Sequence, residues 1–489
     1  MGREDSLVTL VRDRLRLHQG PPSRRLAGAL ADLAQTGLIG PGTRLPSERD
    51  LAQAVGVSRG TVAAAFNALC EDGLCERRHG SGTYVLGTPS FGGLLQAGSV
   101  RADLSTSVVP DPSHLVLPPL DPADLLRAPS GHGYDAMGDP RLRALLAASD
   151  PPGAPGPQGV SGPQGVSGPQ GVSGSQGVMG PAEALDSPRL PGPAAASGWS
   201  RPGEVLVTAG AQQGIDLAAR VLLRPGDRVL VGDPSYGGAL SVFKRAGAHA
   251  VALDLTSPDA VREALARHRP ALVYVVGVEN PTGAVPPLEH VAALAADADV
   301  PLLEDRTLAA LVYDGTPPPA PLARLHPYGT VTVGSLSKVL WGGLRVGWLT
   351  AAEPLLARLV EAKVDADLAT SAVAQRLAAD LLERNPVGPW LAELDRRREH
   401  CLRALAAYLP GWTWTRPAGG MSVWARLPGT DTDRFAAVAR EHGVAVAPGS
   451  LFSPDGRHRD RLRLSFALPP DLLDQAMAGL ARAWDAYRE

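Results

Sequence analysis

Of the 47 basic residues only three are lysines, Lys244, Lys338 and Lys363. Chemistry that needs an amine able to lose its proton therefore has three candidates, because a guanidinium stays protonated. An amine of depressed pKa can attack a carbonyl carbon and form a Schiff base. Lys338 closes the run Ser335-Leu336-Ser337-Lys338, and Arg345 follows seven residues later. Ser335 and Lys338 also complete the literal Ser-x-x-Lys of a β-lactamase nucleophile, but the chain has neither Ser-Asp-Asn nor Lys-Thr-Gly, which removes that chemistry. Four further polar clusters stand upstream: Gly210-Ala211-Gln212, Asp233-Pro234-Ser235-Tyr236, Asn280-Pro281-Thr282-Gly283 and Asp305.

The elements that must position these clusters are legible around them. From residue 204 onward the β-rich runs EVLVT, DRVLVGD, AVALDL, ALVYVVGV, VPLLED, TVTVGS and LRVGWL alternate with helical stretches. That alternation predicts an α/β domain with a mainly parallel sheet, in which ligands gather at the carboxyl ends of strands. Each polar cluster follows such a run, so all five converge on one sheet edge.

The first 86 residues have a different character, with 11 arginines and 9 acidic residues in a chain whose net charge is -3. Residues 22–36 have helical apolar spacing, broken by Gly37, Gly40, Pro41 and Gly42. Ser47 and Asp50 read as a capping box opening a second helix, SERDLAQAV, which Gly56 ends. Ser58 is placed to cap a third, with Val62, Phe66 and Leu69 as its buried stripe and Arg59, Gly60 and Thr61 exposed in its first turn. ERRHGSGTYV then predicts two short strands turning at Gly80, Ser81 and Gly82. The spacing is that of a helix-turn-helix with a β-wing.

Residues 87–103 have linker composition, and from Gly153 to Ala182 glycine recurs at every third position. Taken literally, this is the collagen period. With Pro155 the only proline in a third position, a disordered loop is the expectation, since Gly, Pro, Ser and Gln bury too little apolar area to offset ordering entropy. The domains expected are a DNA-binding domain over 1–86, a linker over 87–103 and a ligand-binding domain over 104–489 that carries the insert at 153–182. Cys70, Cys75 and Cys401 form neither a disulfide framework nor a Cys-x-x-Cys metal pair, so no metal is expected and the compartment reads as reducing cytosol. No run of 18 apolar residues suggests a membrane span, and Met1, Gly2 and Ser6 match a myristoylation pattern only by chance.

Leu-Pro-Ser-x-Arg, Val-Ser-Arg-x-Thr-Val and Gly-Ser-Gly-Thr occur in order, and over about 65 residues the N-terminal part resembles the winged helix-turn-helix of GntR-type regulators. The resemblance implies binding to double-stranded DNA. Arg44 and Arg49 would pin phosphates, Arg59 and Thr61 would enter the major groove, and His79 with Gly80 would meet the neighbouring backbone or minor groove. Ser47 and Ser58 complete the DNA-binding set. Over nearly all of 130–489, the clusters above together with PAGGMSVWARL, VAVAPGSLF and RLRLSFA resemble the fold type I aminotransferases, with a smaller α+β C-terminal subdomain. That resemblance implies pyridoxal 5'-phosphate as cofactor. Lys338 would join its aldehyde as the catalytic amine, Asp305 would pair with the pyridine nitrogen, Asn280 would donate to the phenolic oxygen and Tyr236 would stack on the ring. Gly210, Ala211 and Gln212 at a helix start, with Ser335, Ser337 and Arg345, would hold the phosphate, and Arg463 would clamp a ligand carboxylate. In one place the pattern departs. Asp305-Arg306-Thr307 stands where many relatives have Asp-Asp-Tyr, and Thr307 is too short to replace that tyrosine fully.

Joined in one chain, the two parts resemble the MocR-type transcriptional regulators. This implies a homodimer that exchanges domains head to tail, with the aminotransferase-like part sensing the cofactor and an amine or amino-acid effector. A working aminotransferase carrying a DNA-binding appendage is the alternative. A cofactor-free scaffold is a third reading.

Overall fold

A computed structural model of the chain describes residues 3–16, 18–35, 39, 43–71, 74–78, 81–85, 91–94, 100–119, 121–126, 131–149 and 204–489. His79, Gly80 and the Gly-x-y insert at 153–182 lie outside the described residues. By packing, the chain divides into two units, one of residues 1–107, 399–415 and 423–489, the other of residues 108–398 and 416–422.

In the first unit, helices α1 (Arg3–Leu15), α2 (Pro22–Gln35), α3 (Glu48–Val55) and α4 (Arg59–Glu71) precede strands β1 (Cys75–Arg78) and β2 (Gly82–Val85). The α3 start makes the forward half of the expected capping box, with Ser47 Oγ accepting from the Asp50 N–H at 3.2 Å; the Asp50 carboxylate returns to the Ser47 hydroxyl, which donates to Oδ2 at 2.6 Å. Its end needs a left-handed residue, and Gly56 takes φ 71° while its N–H donates to the Ala52 carbonyl. The stripe of α4 is buried as its spacing requires, with Val62, Phe66 and Leu69 at most 1% exposed against Leu26 and Leu30 of α2 and Leu51 of α3. The wing pairs antiparallel from Cys75↔Val85 to Arg78↔Gly82. Residues before α3 widen it, since the Leu45 N–H donates to Thr83 and the Val85 N–H to Thr43.

The segment read as linker is partly ordered structure. Phe91–Leu94 is a short helix, and β3 (Ala102–Asp103) pairs in parallel with the strand Val444–Ala445. Burial explains the difference: Leu94 packs with Trp424 and Phe452, and Ala102 is 4% exposed. The C-terminal part of this unit matches the α+β expectation. The strands Thr413–Trp414, Ser422–Arg426, Arg461–Ser465 and Ala447–Pro448 form a sheet in that order, and the helices Thr432–Glu441 and Pro470–Arg488 belong to the same part.

In the second unit, β4 (Glu204–Thr208), β5 (Arg228–Gly232), β6 (His249–Leu253), β7 (Leu272–Val276), β8 (Leu302–Asp305), β9 (Thr330–Ser335) and β10 (Gly347–Ala351) form one sheet. Its order is β4-β10-β9-β8-β7-β5-β6, and only β10 runs antiparallel to its neighbours. Alternation sends Leu272 and Tyr274 to one core and Val273 and Val275 to another, so both faces are covered, as a parallel sheet requires. Register brings the ends together. Asp305 pairs with Val276 and Val333, and Gly347 with both Thr208 and Ser335.

Candidate functional site

The DNA-facing candidates separate into those that reach solvent and those that hold the fold. Arg44, Arg49 and Arg59 are exposed, and Thr61 is half-buried. Arg59 keeps 75% of its side chain exposed while its Nε lies 3.3 Å from Glu48 Oε2; Arg77 of the wing lies 3.2 Å from the other Glu48 oxygen. One carboxylate thus spans the start of α4 and the wing. Ser47 and Ser58 cap helices, as their positions predict. Their hydroxyls start helices: Ser47 caps α3, and Ser58 Oγ accepts from the Thr61 N–H at 3.1 Å and sits 2.8 Å from Thr61 Oγ1.

In the second unit, the five clusters lie at or just beyond the carboxyl ends of β4, β5, β7, β8 and β9. Gly210 is the N-cap of the helix Ala211–Leu222, at φ 95°, with no side-chain cap. The helix start therefore leaves its first N–H groups for an anion. Space here depends on the missing side chain, since a Cβ on Gly210 would come within 2.8 Å of the Arg345 guanidinium. Arg345 donates to the Ala209 carbonyl at 2.6 Å. Tyr236 donates to Gln212 Oε1 at 3.1 Å, and Gln212 donates to the Gly238 carbonyl at 3.0 Å. Ser335 and Ser337 hydroxyls are 2.9 Å apart, and the half-buried Lys338 has its carbonyl held by the Trp390 indole at 3.0 Å. Asn280 stands beyond β7 in a turn closed by the Gly283 N–H on the Glu279 carbonyl. The Gly277 N–H ties that loop to the Asp305 carbonyl at 3.0 Å.

Asp305 is 4% exposed. Burial pushes its carboxyl above the usual range, against the opposing pull of the Thr307 N–H at 2.9 Å, the Tyr274 hydroxyl at 3.0 Å and the Lys338 charge. A buried carboxylate kept this way lacks its best counter-charge until a cation is placed on it. The sign follows from linkage. A carboxyl whose folded pKa is raised penalises the folded state as pH rises through the carboxylate range. Asp305→Asn is therefore expected to raise the thermal midpoint of the cofactor-free chain more at pH 7.5 than at pH 5, because the Tyr274 hydroxyl can turn to accept from the new amide. Equal shifts at both pH values would show that the carboxylate carries no such penalty.

The donor set fits pyridoxal 5'-phosphate: one amine, one buried carboxylate, an aromatic ring, and an open helix start flanked by a guanidinium and two serines. Arg463 belongs to the other unit. It is 2% exposed, donates to the Ser105 carbonyl and lies 4.8 Å from the Phe452 ring centroid. Sequence reasoning missed Tyr274 and Trp390. Tyr274 was findable, since it lies one pleat below Val276, which pairs with Asp305, and so on the same face. Trp390 stacks on His114 with ring centroids 4.2 Å apart, a partnership across 276 positions that no local pattern announces.

Residues 22–85 match the gntR family of bacterial regulatory proteins, and residues 197–480 match aminotransferase class I and II. The 2-aminoadipate transaminase of Thermus thermophilus is 35% identical over 287 residues, 55% of this chain and 71% of that one. The HTH-type transcriptional regulator YisV of Bacillus subtilis is 26% identical over 471 residues, 91% of this chain and 92% of that one. Among solved structures, the α-aminoadipate aminotransferase LysN of T. thermophilus, complexed with N-(5'-phosphopyridoxyl)-L-leucine, aligns with a TM-score of 0.63 at 27% identity, covering 82% of this chain and 95% of that one. With the matched span covering more than half its length behind a gntR-type helix-turn-helix, the chain belongs to the aminotransferase class I and II family.

Proposed function

We propose that the chain is a MocR-type transcriptional regulator: its winged helix-turn-helix reads double-stranded DNA, and its aminotransferase-like part binds pyridoxal 5'-phosphate and senses an amine or amino acid. The observation that carries this reading is the coexistence, in one chain, of an exposed Arg59 at the start of α4 and the Lys338–Asp305 edge in the sheet. The match to YisV along 91% of the chain supports it. As a DNA reader it acts in the cytoplasm. A homodimer with exchanged domains completes the assembly. Support for a second copy comes from apolar side chains left in solvent between 116 and 134: Val116 63%, Leu117 68%, Leu126 75% and Tyr134 64% exposed.

When bound, the cofactor supplies a ring that draws electrons from bonds to a carbon attached to the amine nitrogen. The chain's own residues do the rest. Lys338 Nζ would be the covalent anchor and, as a free amine, a base able to hold a proton. Asp305 would keep a proton on the ring nitrogen by ion pairing, Tyr236 and Asn280 would orient the ring, and Arg463 would bind the effector carboxylate. An effector changes DNA affinity only to the extent that it binds two states unequally, with couplings of about 1–3 kcal/mol giving about 5- to 150-fold control.

The test is a gel-shift titration on inverted and direct repeats from the chain's own upstream region, with and without pyridoxal phosphate and candidate amines. Identical affinities in every condition would remove the sensor reading. At the DNA itself, Arg59→Ala is expected to lose about 1–3 kcal/mol of discrimination between a duplex selected from random sequence and a scrambled one, with most non-specific affinity kept. A uniform loss on both duplexes would make Arg59 a phosphate contact instead. The presence of Lys338, Asp305 and Asn280 together favours, as a second reading, a working aminotransferase; turnover of an amino donor with an oxo acid, followed by absorbance, distinguishes it.

A further inference from the structure

Lys363 lies in the helix Leu355–Asp367 with its side chain fully buried. An unpaired ammonium there would be strongly destabilising, so its partner matters. Its Nζ is 2.6 Å from Asp367 Oδ1. The bond does not stop at the helix. Asp367 Oδ2 accepts from Gln213 Nε2 at 2.7 Å, and Gln213 Oε1 accepts from the Ala209 N–H at 2.7 Å. Turning the Gln213 amide over would break both of these bonds at once, so the ion pair fixes its orientation. The Ala209 carbonyl, in the next peptide group along, accepts from Arg345 at 2.6 Å. This one residue, immediately before Gly210 and the open helix start, is held through its carbonyl by a guanidinium and through its N–H by the lysine-anchored relay.

We infer that Lys363, Asp367 and Gln213 are positioning residues for the phosphate of the cofactor: a buried ion pair that aims the 209–212 turn from behind. This inference rests on the cofactor reading above. An ordinary helix-stabilising pair would have no reason to end on that residue. The relay acts on the turn only, so it affects recognition of the phosphate and leaves recognition of the ring and the aldehyde unchanged.

The experiment titrates the full chain with pyridoxal 5'-phosphate and, separately, with pyridoxal, which lacks the phosphate, following the absorbance of the bound compound. Lys363→Met keeps the aliphatic stem and removes the charge, and Gln213→Leu removes both amide bonds from a half-buried site where folding is less at risk. Each is expected to weaken pyridoxal phosphate about tenfold or more while pyridoxal changes by less than about twofold, as outer-shell partners of a binding group do. The double variant is expected to lose little beyond either single one, because the two residues share one relay. Parallel losses for both compounds, or unchanged binding of both, would overturn the relay while leaving the cofactor reading intact. Failure of the unmodified chain to take up pyridoxal phosphate would overturn both.

Discussion

Lys338→Ala is expected to give a chain that retains no pyridoxal phosphate after borohydride reduction and denaturation, where the unmodified chain retains one adduct on Lys338. The effect is all or none because the chemistry has one amine to use. Lys363 is fully buried and committed to Asp367, and Lys244 lies in the last turn of the helix Gly237–Arg245, away from the strand ends where the site gathers. Lys338, by contrast, lies three residues beyond the end of β9, and its charge opposes the burial that raises the Asp305 pKa. Mass spectrometry of the reduced protein reads the result. An adduct that persists on the Lys338→Ala chain, or one that maps to Lys244, would remove the assignment on which the whole site depends.

Phe66→Ala is expected to abolish DNA binding while leaving the visible absorbance of bound cofactor in place. Phe66 is 1% exposed and sits in the one core that joins α2, α3 and α4. Truncating a phenylalanine so placed costs about 3–5 kcal/mol, a large part of what a small helical module has to spare. The Lys338 site lies in the other unit, with its own cores on the two faces of the sheet. Gel shift and absorbance on the same preparation separate the two losses. Retained DNA affinity would mean that α4 is not the reading helix, and a parallel loss of cofactor would mean that the two activities share one cooperative structure.

Much of this organisation was legible from local pattern. Ser47, Asp50 and Gly56 announce the two ends of α3 because caps are short-range chemistry. The strand runs announce the sheet because full burial on both faces leaves continuous apolar stretches, and the residues after them announce the site because parallel strands must end on one edge. Lys338 stood out for a compositional reason, being one of three amines among 47 basic side chains. What stayed hidden depends on partners distant in sequence. The hydroxyl that holds Asp305 comes from Tyr274, 31 positions earlier, and the amide that fixes the Ala209 peptide leans on Asp367, 154 positions later. Arg398 is a stronger case: fully buried, it meets Asp314 with two bonds of 2.9 Å and lies 4.5 Å from the Tyr313 ring, although its sequence context of consecutive arginines reads as a solvated helix face. The linker failed as a reading for a similar reason. Composition reports solvation, and the burial of Leu94 and Ala102 is decided by residues more than 300 positions away.

The pairing of Ala102 with Val444 and of Asp103 with Ala445 sets where this chain can be cut. A truncation placed after residue 103 would strip one ribbon from the far end of the polypeptide and leave Val444 and Ala445 with bare peptide groups, an open edge that invites self-association. Starting instead upstream of Arg101, whose N–H reaches the Gly443 carbonyl at 2.9 Å, keeps that seam closed. The front module is therefore portable to another protein only with a splice on its own side of residue 100.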